Sequence, residues 1–474
     1  MNVEHGTRKP DDDELISLLQ QAHGYAIEYI DSIAHRSVFP LATDIAGLTA
    51  FDETLPDQPC TAAALLESLH VIGSPATVAQ TGGRYFGFVN GSTRSAALAA
   101  RWLVDVWDQN SALYIMSPVV SELERICERW LTELFGLPDD TALGLVGGSS
   151  ASNFCGLAAG RNELLRRCGW DVNTKGLFGA PEIRVVTGEQ AHATVFKALA
   201  LLGLGKERVE IVPTDNQGRM LGPDLPALDD RTLVIAQAGN VNTGAFDPLE
   251  EICEQARAVN AWVHIDGAFG LWAGASRASY HLYRGAEQAD SWSADAHKTL
   301  NAPYDCGIIL CRHREALINA MQADQASASY IQWSEHRDGM LYTPDMSRRA
   351  RAADLWVTIK HLGKLGIENL VDQLCRRAQE FAEKLLDQGF EILNEVVFNQ
   401  ILVSCGNPEL TVSTLEQIQV SGECWCGGTT WSGDPVIRIS VCSWKTTAGD
   451  VDRSVRAFVD ARQRARREPA QQDR

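Results

Sequence analysis

Short apolar runs alternate with helix-patterned segments between residues 143 and 311. Turn residues such as Gly, Pro, Asn and Asp separate the runs from the helical segments, and each run has the length of a buried strand. The runs lie at 143–146, 183–187, 208–212, 232–236, 261–265, 290–294 and 307–311. This alternation predicts an α/β fold with a mainly parallel seven-stranded sheet, helices on both faces, and ligand sites at the carboxyl ends of the strands.

The segments on either side of this region have different patterns. Helical spacing of apolar residues opens the chain, and loops marked by Pro and Gly follow to about residue 85. Beyond residue 346, two helical segments, at 347–363 and 367–387, precede short strand-like runs. These runs lie at 390–393, 397–405 and 435–442. We therefore expect an amino-terminal helical arm at 1–85, a large ligand-binding domain at 86–346 and a small carboxyl-terminal α+β domain at 347–474.

Composition narrows the classes of partner. The chain has 474 residues and a formal net charge of -19, which argues against binding to nucleic acid or to an anionic membrane surface. No apolar stretch reaches membrane-spanning length, and the acidic residues 11–14 are unlike a targeting peptide, so we expect a cytoplasmic enzyme. The 12 cysteines are scattered. Because Cys424 and Cys426 have no second pair of ligands at zinc spacing nearby, we expect no metal.

A turn of small residues follows the first apolar run. The sequence Gly147-Gly-Ser149-Ser150-Ala-Ser-Asn153 leads from that run into a helical pattern. Free backbone N–H groups and two hydroxyls at a helix start suit a phosphate. The turn lacks the Lys of a P-loop and does not match the dinucleotide fingerprint, so neither ATP nor NAD is indicated. An ordinary capped helix has the same signature, so the turn needs support from other motifs.

Two later strands end in residues with acid–base chemistry. Asp266 follows the run 261–265, where a carboxylate can keep a pyridine nitrogen protonated. Lys298 follows His297 after the run 290–294, and a partly desolvated amine there can form a Schiff base with a carbonyl cofactor. Taken alone, Asp266 also fits a helix cap or a turn, and Lys298 fits a surface charge. Taken with the turn, they describe one ligand that has a phosphate, a ring nitrogen and an aldehyde.

These motifs, in this order, resemble those of the fold-type-I pyridoxal 5'-phosphate (PLP) enzymes, and within them the group II PLP-dependent amino-acid decarboxylase family. The resemblance covers roughly residues 15 to 460 and rests on several independent motifs. It implies that His192 stacks on the cofactor ring and that the loop 239–248 lies close to the ring hydroxyl. The expected cofactor-binding residues are Ser149, Ser150, His192, Asn240, Thr243, Asp266, Ala268, His297 and Lys298.

The resemblance also implies a reaction. An L-amino acid would replace Lys298 in the Schiff base, the ring held by Asp266 would take up the electrons of the broken Cα bond, and CO2 and an amine would leave. Tyr330 matches a mobile-loop tyrosine that protonates the carbon after CO2 departs, and a surface-docked loop aromatic is its alternative. The expected catalytic residues are therefore Lys298, His192, Tyr330 and Asp266.

The resemblance places the substrate side chain between two segments of a homodimer with shared sites. One subunit is expected to supply Phe88 and Asn90, and the partner subunit the segment with Asn110 and Tyr114. No basic residue stands out in these segments. They slightly favour an aromatic or polar uncharged amino acid over an acidic one.

Two other functions remain open. Arg438, in Val436-Ile-Arg-Ile-Ser440, resembles the carboxylate-binding arginine of aminotransferases, so an aminotransferase or another carbon-bond lyase on the same fold is the second hypothesis. A non-catalytic binding protein is the third, and the intact Lys298, Asp266 and His192 argue against it. Asp295 departs from the family, because some relatives have an asparagine there that touches the phosphate. Since an acid would repel phosphate, Asp295 is left out of the expected site.

Overall fold

The computed structural model describes residues 10–322 and 335–467, and its main sheet has seven strands. They are β1 (Ala142–Val146), β2 (Arg184–Gly188), β3 (Val209–Val212), β4 (Thr232–Gln237), β5 (Trp262–Asp266), β6 (Ser291–Asp295) and β7 (Gly307–Cys311). Their order is β1-β7-β6-β5-β4-β2-β3. Among these strands β7 runs opposite to the other six, which are parallel to one another. The prediction of a mainly parallel seven-stranded α/β sheet is therefore confirmed.

Helices cover both faces of this sheet. The helices up to the end of β7 are α1 (Pro10–Ser32), α2 (Ala42–Gly47), α3 (Ala62–Ser68), α4 (Ser95–Trp107), α5 (Pro118–Leu134), α6 (Ser149–Arg167), α7 (Val172–Lys175), α8 (Ala193–Leu201), α9 (Leu249–Ala258) and α10 (Tyr280–Tyr283). One buried cluster joins α6 and α8 to one face, and another joins α5 and α9 to the opposite face. Alternate strand residues supply the two clusters, as the pleat of a strand requires.

Glycines set how closely α6 approaches the sheet. A Cβ atom at Gly156 would lie 2.5 Å from the His264 ring, and one at Gly160 would lie 2.9 Å from the Trp262 ring. Gly156 and Gly160 are one helical turn apart and lie on the same face of α6. Trp262 and His264 are two residues apart and lie on the same face of β5, so the two glycines pack against the two rings. This close contact brings the amino-terminal end of α6 to the carboxyl-terminal end of β5, where the predicted motifs lie.

A smaller antiparallel sheet follows the large one. Its strands are β8 (Glu391–Ile392), β9 (Gln400–Ser404), β10 (Gly427–Trp431) and β11 (Asp434–Ser440), in the order β10-β11-β9-β8. The remaining helices are α11 (Arg314–Met321), α12 (Arg351–Asp387), α13 (Pro408–Ser421) and α14 (Ala448–Arg467). Non-helical backbone at Gly363, with φ 61°, breaks α12 where the sequence predicts the end of one helix and the start of the next. The small α+β part is confirmed, and its boundary at residue 347 stays a prediction.

The amino-terminal helices leave many apolar side chains exposed. On α1, Leu15 is 53% exposed and Ile30 is 46% exposed, and on α4 Leu103 is 54% exposed. Within residues 10–322 and 335–467, none of the helices combines the length and the apolar character needed to cross a membrane. The helices of the predicted arm are therefore present and expose apolar side chains, and the arm's boundary at residue 85 stays a prediction.

Candidate active site

The sheet brings the three predicted motifs to one edge. Val146 of β1 and Asp295 of β6 are both paired with Gly307 of β7, so the turn after β1 lies beside the segment after β6. In the next strand, Asp266 is paired with Ser293 of β6. Strand register therefore places the small-residue turn, Asp266 and the segment with Lys298 next to one another. Residues separated by more than a hundred positions in the sequence form one site in this way.

The turn at 147–150 forms a seat for an anion. A Cβ atom at Gly307 would lie 2.5 Å from Gly148 Cα, so glycine at 307 allows the turn to cross β7 closely. Ser149 and Ser150 begin α6, where backbone N–H groups have no partners within the helix. Their hydroxyl groups make no hydrogen bond within the part of the chain that the structure describes. The seat combines the positive end of a helix dipole with free donors, as a phosphate requires.

Asp266 is buried at the end of β5 and accepts three hydrogen bonds. Asn153 Nδ2 donates to Oδ2 at 3.1 Å, and Oδ1 accepts from Ser293 Oγ at 3.3 Å and from Ala268 N at 3.2 Å. A Cβ atom at Gly267 would lie 2.8 Å from Leu271 Cβ, so the backbone here is packed without space for a side chain. Three donors suit an ionised carboxylate, which is the form that can hold a proton on a ring nitrogen.

A chain of donors behind Asp266 fixes its orientation. Because Asn153 gives its amide hydrogen to Asp266, its Oδ1 accepts from His264 Nε2 at 3.0 Å. His264 Nδ1 then accepts from Ser291 Oγ at 2.8 Å, and Ser291 accepts from the indole N–H of Trp262 at 3.1 Å. Burial lowers the pKa of His264 to about 4, so its ring is neutral near pH 7. Every donor in the chain therefore points towards the carboxylate.

Lys298 follows β6 in a turn and is paired with an acid. Its Nζ lies 3.2 Å from Asp295 Oδ2, and its side chain is 21% exposed. A Cβ atom at Gly91 would lie 2.2 Å from the Lys298 carbonyl oxygen, so the segment 88–91 crosses directly over this turn. His297 is buried beside it and packs on the Tyr304 ring at 4.3 Å between centroids. The amine is therefore held at the edge of the site, with limited access to solvent.

His192 is the N-cap of α8. Its Nδ1 accepts from Thr194 N at 3.3 Å and lies 2.8 Å from Thr194 Oγ1. Since a backbone N–H can only donate, the neutral ring carries its proton on Nε2. Burial is the largest cause of the lowered pKa of His192, and the nearby cations Lys298 and Arg438 lower it further. A neutral, fixed imidazole at this position can stack on a flat ring.

The side chains of Asn240 and Thr243, which were predicted to contact the cofactor, are used in hydrogen bonds within the protein. Asn240 Oδ1 accepts from the backbone N–H groups of Asn242 and Thr243, and its Nδ2 donates to Gln237 Oε1 at 3.0 Å. The Thr243 hydroxyl donates to the Gln217 carbonyl oxygen at 2.6 Å and is buried. Both residues therefore hold the loop in shape, and direct contact of either with a cofactor stays a prediction.

The four predicted substrate contacts fall into two pairs. Tyr304 links Asn90 to the site, because its hydroxyl donates to Asn90 Oδ1 at 3.0 Å while its ring packs on His297. Phe88 is 60% exposed and stacks on Trp425 at 6.0 Å between centroids. In contrast, the segment with Asn110 and Tyr114 contacts residues 336–348, with Asn110 Nδ2 3.4 Å from Ser347 Oγ and the Tyr114 ring 3.9 Å from that of His336. Tyr330 lies outside the residues that the structure describes.

Arg438 is a cation without an acid partner among the residues that the structure describes. Its Nη1 makes only long contacts, 3.4 Å to Val241 O and 3.5 Å to Asn242 Oδ1, and its buried Nε has no partner there. Burial lowers the pKa of Arg438. It is also close enough to His192 to lower the pKa of that ring. A buried guanidinium beside the site, with hydrogen-bonding capacity left over, can bind a carboxylate.

Sequence analysis missed the residues that support Asp266 from behind. Asn153 lies in the helix predicted after the turn. His264, Ser291 and Ser293 lie in segments that were predicted only as buried strands. A usable signal was present, because His264 and Asp266, and likewise Ser291 and Ser293, alternate at the strand period and so share a face. Which strands are neighbours was needed to connect them.

Comparison with known proteins identifies the family. The model of the pyridoxal-dependent decarboxylase conserved domain matches residues 47–404, so this chain belongs to that family, whose cofactor is PLP. The chain is 30% identical over 332 residues to acidic amino acid decarboxylase GADL1 of Mus musculus, in a match covering 67% of this chain and 59% of the relative. It is 29% identical over 332 residues to cysteine sulfinic acid decarboxylase of Mus musculus, covering 66% and 65%. The chain thus spans less than two thirds of the length of these relatives.

Solved structures share the fold. The crystal structure of Oryza sativa TDC with PLP and tryptamine has a TM-score of 0.87 and 20% identity, with 97% of this chain and 99% of that chain covered. The crystal structure of mouse CSAD has a TM-score of 0.86 and 23% identity, with 96% and 99% covered. These likenesses establish a PLP fold-type-I architecture for the chain.

The residues present fit PLP. The free N–H groups and hydroxyls at Ser149 and Ser150 match its phosphate, and the carboxylate of Asp266 matches its ring nitrogen. Lys298 offers the amine that its aldehyde requires. Asp295, also at the seat, does not suit a phosphate in its ionised form.

Proposed function

We propose that this protein decarboxylates an L-amino acid to the amine and CO2, with PLP bound covalently to Lys298. The observation that carries this proposal is the meeting of Lys298, Asp266 and the helix start at Ser149 on one sheet edge, in a chain of the pyridoxal-dependent decarboxylase family. Those three features match the aldehyde, the ring nitrogen and the phosphate of one cofactor.

Each residue has a physical role in this proposal. PLP, when bound, supplies an electron sink for the carbanion left by a departing carboxylate. Asp266, held by Asn153, Ser293 and Ala268, keeps a proton on the ring nitrogen. His192 would limit the movement of the ring, and Lys298 would give up its bond to the cofactor, as a free amine, when the amino group of the substrate takes its place. The segment 88–91 packs on the backbone of Lys298 and fixes the turn that carries its amine.

We propose an acidic amino acid as the substrate class. Arg438 supports this, because it is a buried cation beside His192 that has no acid partner among the described residues. GADL1 and the cysteine sulfinic acid decarboxylase are named for acidic substrates, which supports the same class. The preference for an uncharged substrate was based on the segments around Phe88 and Tyr114, which lack a basic residue. Arg438 comes from β11, in a different part of the sequence.

The test is a substrate panel with purified protein and PLP. Aspartate, glutamate and cysteine sulfinate are compared with aromatic and polar uncharged amino acids, and CO2, amine, keto acid and aldehyde are measured together. We expect CO2 and amine in equal amounts from an acidic substrate, and a loss of preference for it in Arg438→Gln but less in Arg438→Lys. Keto acid without CO2 would replace this proposal with an aminotransferase. Turnover of aromatic substrates alone would reject only the substrate class.

Tyr330 is proposed to deliver the proton that replaces the departing carboxylate. Tyr330→Phe removes the acidic hydroxyl and keeps the ring, so CO2 release should continue while amine falls about tenfold or more. Oxygen should then be consumed, with aldehyde and ammonia as the products. Product analysis under air and under nitrogen distinguishes these routes, and the KM for the amino acid should change little. Amine formation at the parent rate would show that Tyr330 is not the proton donor.

We also propose that the active unit is a homodimer. The exposed apolar side chains of α1 and α4 support it. Within one chain, Asn110 and Tyr114 contact a different part of the structure from Phe88 and Asn90, which also supports it. Leu103→Glu on α4 should give a monomer in sedimentation and lose most activity, because a charge in an apolar interface is costly. Val420→Glu, at an 84% exposed position on α13, is the matched control and should remain dimeric. A fully active wild-type monomer would reject the proposal.

A further inference from the structure

Asp295 has an unused oxygen that faces the anion seat. The residue is 1% exposed, and its Oδ2 is 3.2 Å from Lys298 Nζ, but its buried Oδ1 has no hydrogen-bond partner among the described residues. A Cβ atom built on Gly148 would lie 3.7 Å from this Oδ1. Gly148 is the N-cap of α6, directly before Ser149. The unused oxygen is therefore aimed at the helix start where the phosphate is proposed to bind.

Among the residues that the structure describes, the titratable groups around Asp295 leave it one cationic partner. His297 Nε2 is 3.7 Å from its Oδ2, but burial lowers the pKa of His297, and burial also lowers the pKa of His192. Burial raises the pKa of Tyr304 and that of Cys306, the latter to about 12. All four groups are therefore neutral near pH 7. Lys298 is the cation that remains, and its nitrogen is the atom that the cofactor's aldehyde takes.

A second charged group borders the turn but is already neutralised. A Cβ atom at Gly147 would lie 3.1 Å from Asp305 Oδ2 and 4.0 Å from Arg351 Nη2. Burial opposes ionisation of Asp305, but hydrogen bonds from Arg351 and Arg349 lower its pKa to about 2. The two arginines are thus engaged with Asp305. Asp295 and a phosphate dianion would share the α6 start with no further free cation among the residues described there.

We propose that Asp295 and the cofactor phosphate share one proton, which is taken up from solvent when the cofactor binds. The phosphate is then hydrogen-bonded to Asp295, and it does not lie beside an ionised carboxylate. This inference rests on the proposed phosphate seat. No bond of the cofactor breaks, because only a proton from water is added. Asp295 is a positioning residue in this account: the shared proton gives its unused oxygen a partner and removes the repulsion between two anions at short range.

The test compares cofactor binding in the wild type and in Asp295→Asn. An amide can donate to the phosphate without a proton from solvent, so the variant should bind PLP with less dependence on pH. Between about pH 6 and about pH 9, the wild-type dissociation constant should rise relative to that of the variant by up to about tenfold per pH unit. Calorimetry in buffers of different ionisation enthalpy should show about one more proton taken up per PLP by the wild type.

Pyridoxal is the control that isolates the phosphate. It lacks the phosphate but uses the same aldehyde and ring, so its relative affinity for the two proteins should not change with pH. Equal proton uptake by the wild type and Asp295→Asn, or the same pH trend with pyridoxal, would overturn the inference.

Failure of this inference can be told apart from failure of the proposed function. Borohydride reduction followed by peptide mass spectrometry shows whether the pyridoxyl group is on Lys298 in each protein. A label on Lys298 with equal proton uptake rejects only the role of Asp295. A label on another lysine rejects the proposed site, and with it the seat on which the inference rests.

Discussion

Lys298→Ala is expected to remove the covalent attachment of PLP and to lower turnover by a factor on the order of 10³ or more. Alanine has no amine to bond the aldehyde or to release the product. Among the residues that the structure describes, no other lysine lies next to Asp266 and the α6 start to replace Lys298. Reduction with borohydride and peptide mass spectrometry should find the pyridoxyl group on Lys298 in the wild type and on no peptide of the variant. Steady-state kinetics with the preferred amino acid measures the loss of turnover.

Lys197→Ala is the matched control for this prediction. Lys197 is exposed on α8, the helix that His192 caps, so the variant removes a lysine from the same side of the sheet without touching the site. It should keep both the covalent label and the turnover. A label that stays at full strength in Lys298→Ala would show that another lysine holds the cofactor.

Asp266→Asn should retain the cofactor but lower turnover by about 10²- to 10⁴-fold. An amide cannot stabilise a proton on the ring nitrogen, so the ring becomes a poor electron sink. The amide hydrogens of the new asparagine would also face donors, because Asn153, Ser293 and Ala268 all donate to Asp266. Absorbance measures the bound cofactor and kinetics measures turnover, and the loss should be in kcat more than in KM.

Asp266→Glu separates charge from geometry in this experiment. Glutamate keeps the carboxylate but moves it by one methylene, so it should recover part of the turnover that asparagine loses. Thermal unfolding of each variant checks that the buried donor chain through His264 has not collapsed. Near-normal turnover in Asp266→Asn would mean that protonation of the ring nitrogen does not drive the reaction.

The fold was largely predictable because periodicity is a local property. The seven strand predictions in the large sheet differ from the observed strands by at most one residue at either end, and Gly363 breaks α12 where two helices were expected. The small sheet was predicted less completely. Strand β10, Gly427–Trp431, was missed, since two glycines and two threonines in succession give no alternation of apolar and polar residues.

By itself, the sequence determined the chemistry of the candidate site. Lys298, Asp266 and the turn at Ser149 carry their meaning in residue type and in position after a strand, and both can be read along one chain. Their order and flanking residues were also enough to identify the family, because the match extends over most of the chain. These features needed no knowledge of which strands are neighbours.

Only the tertiary structure decided how these groups are supported and charged. The donor chain from Trp262 through His264 and Asn153 to Asp266 joins three elements that are distant in sequence, and it exists because β5, β6 and α6 pack together. The same packing turns Asn240 and Thr243 into supports for their own loop, leaves Arg438 without an acid partner among the described residues, and aims the unused oxygen of Asp295 at the α6 start. Hydrogen bonding and burial depend on distances between elements, and a sequence does not contain those distances until the chain is folded.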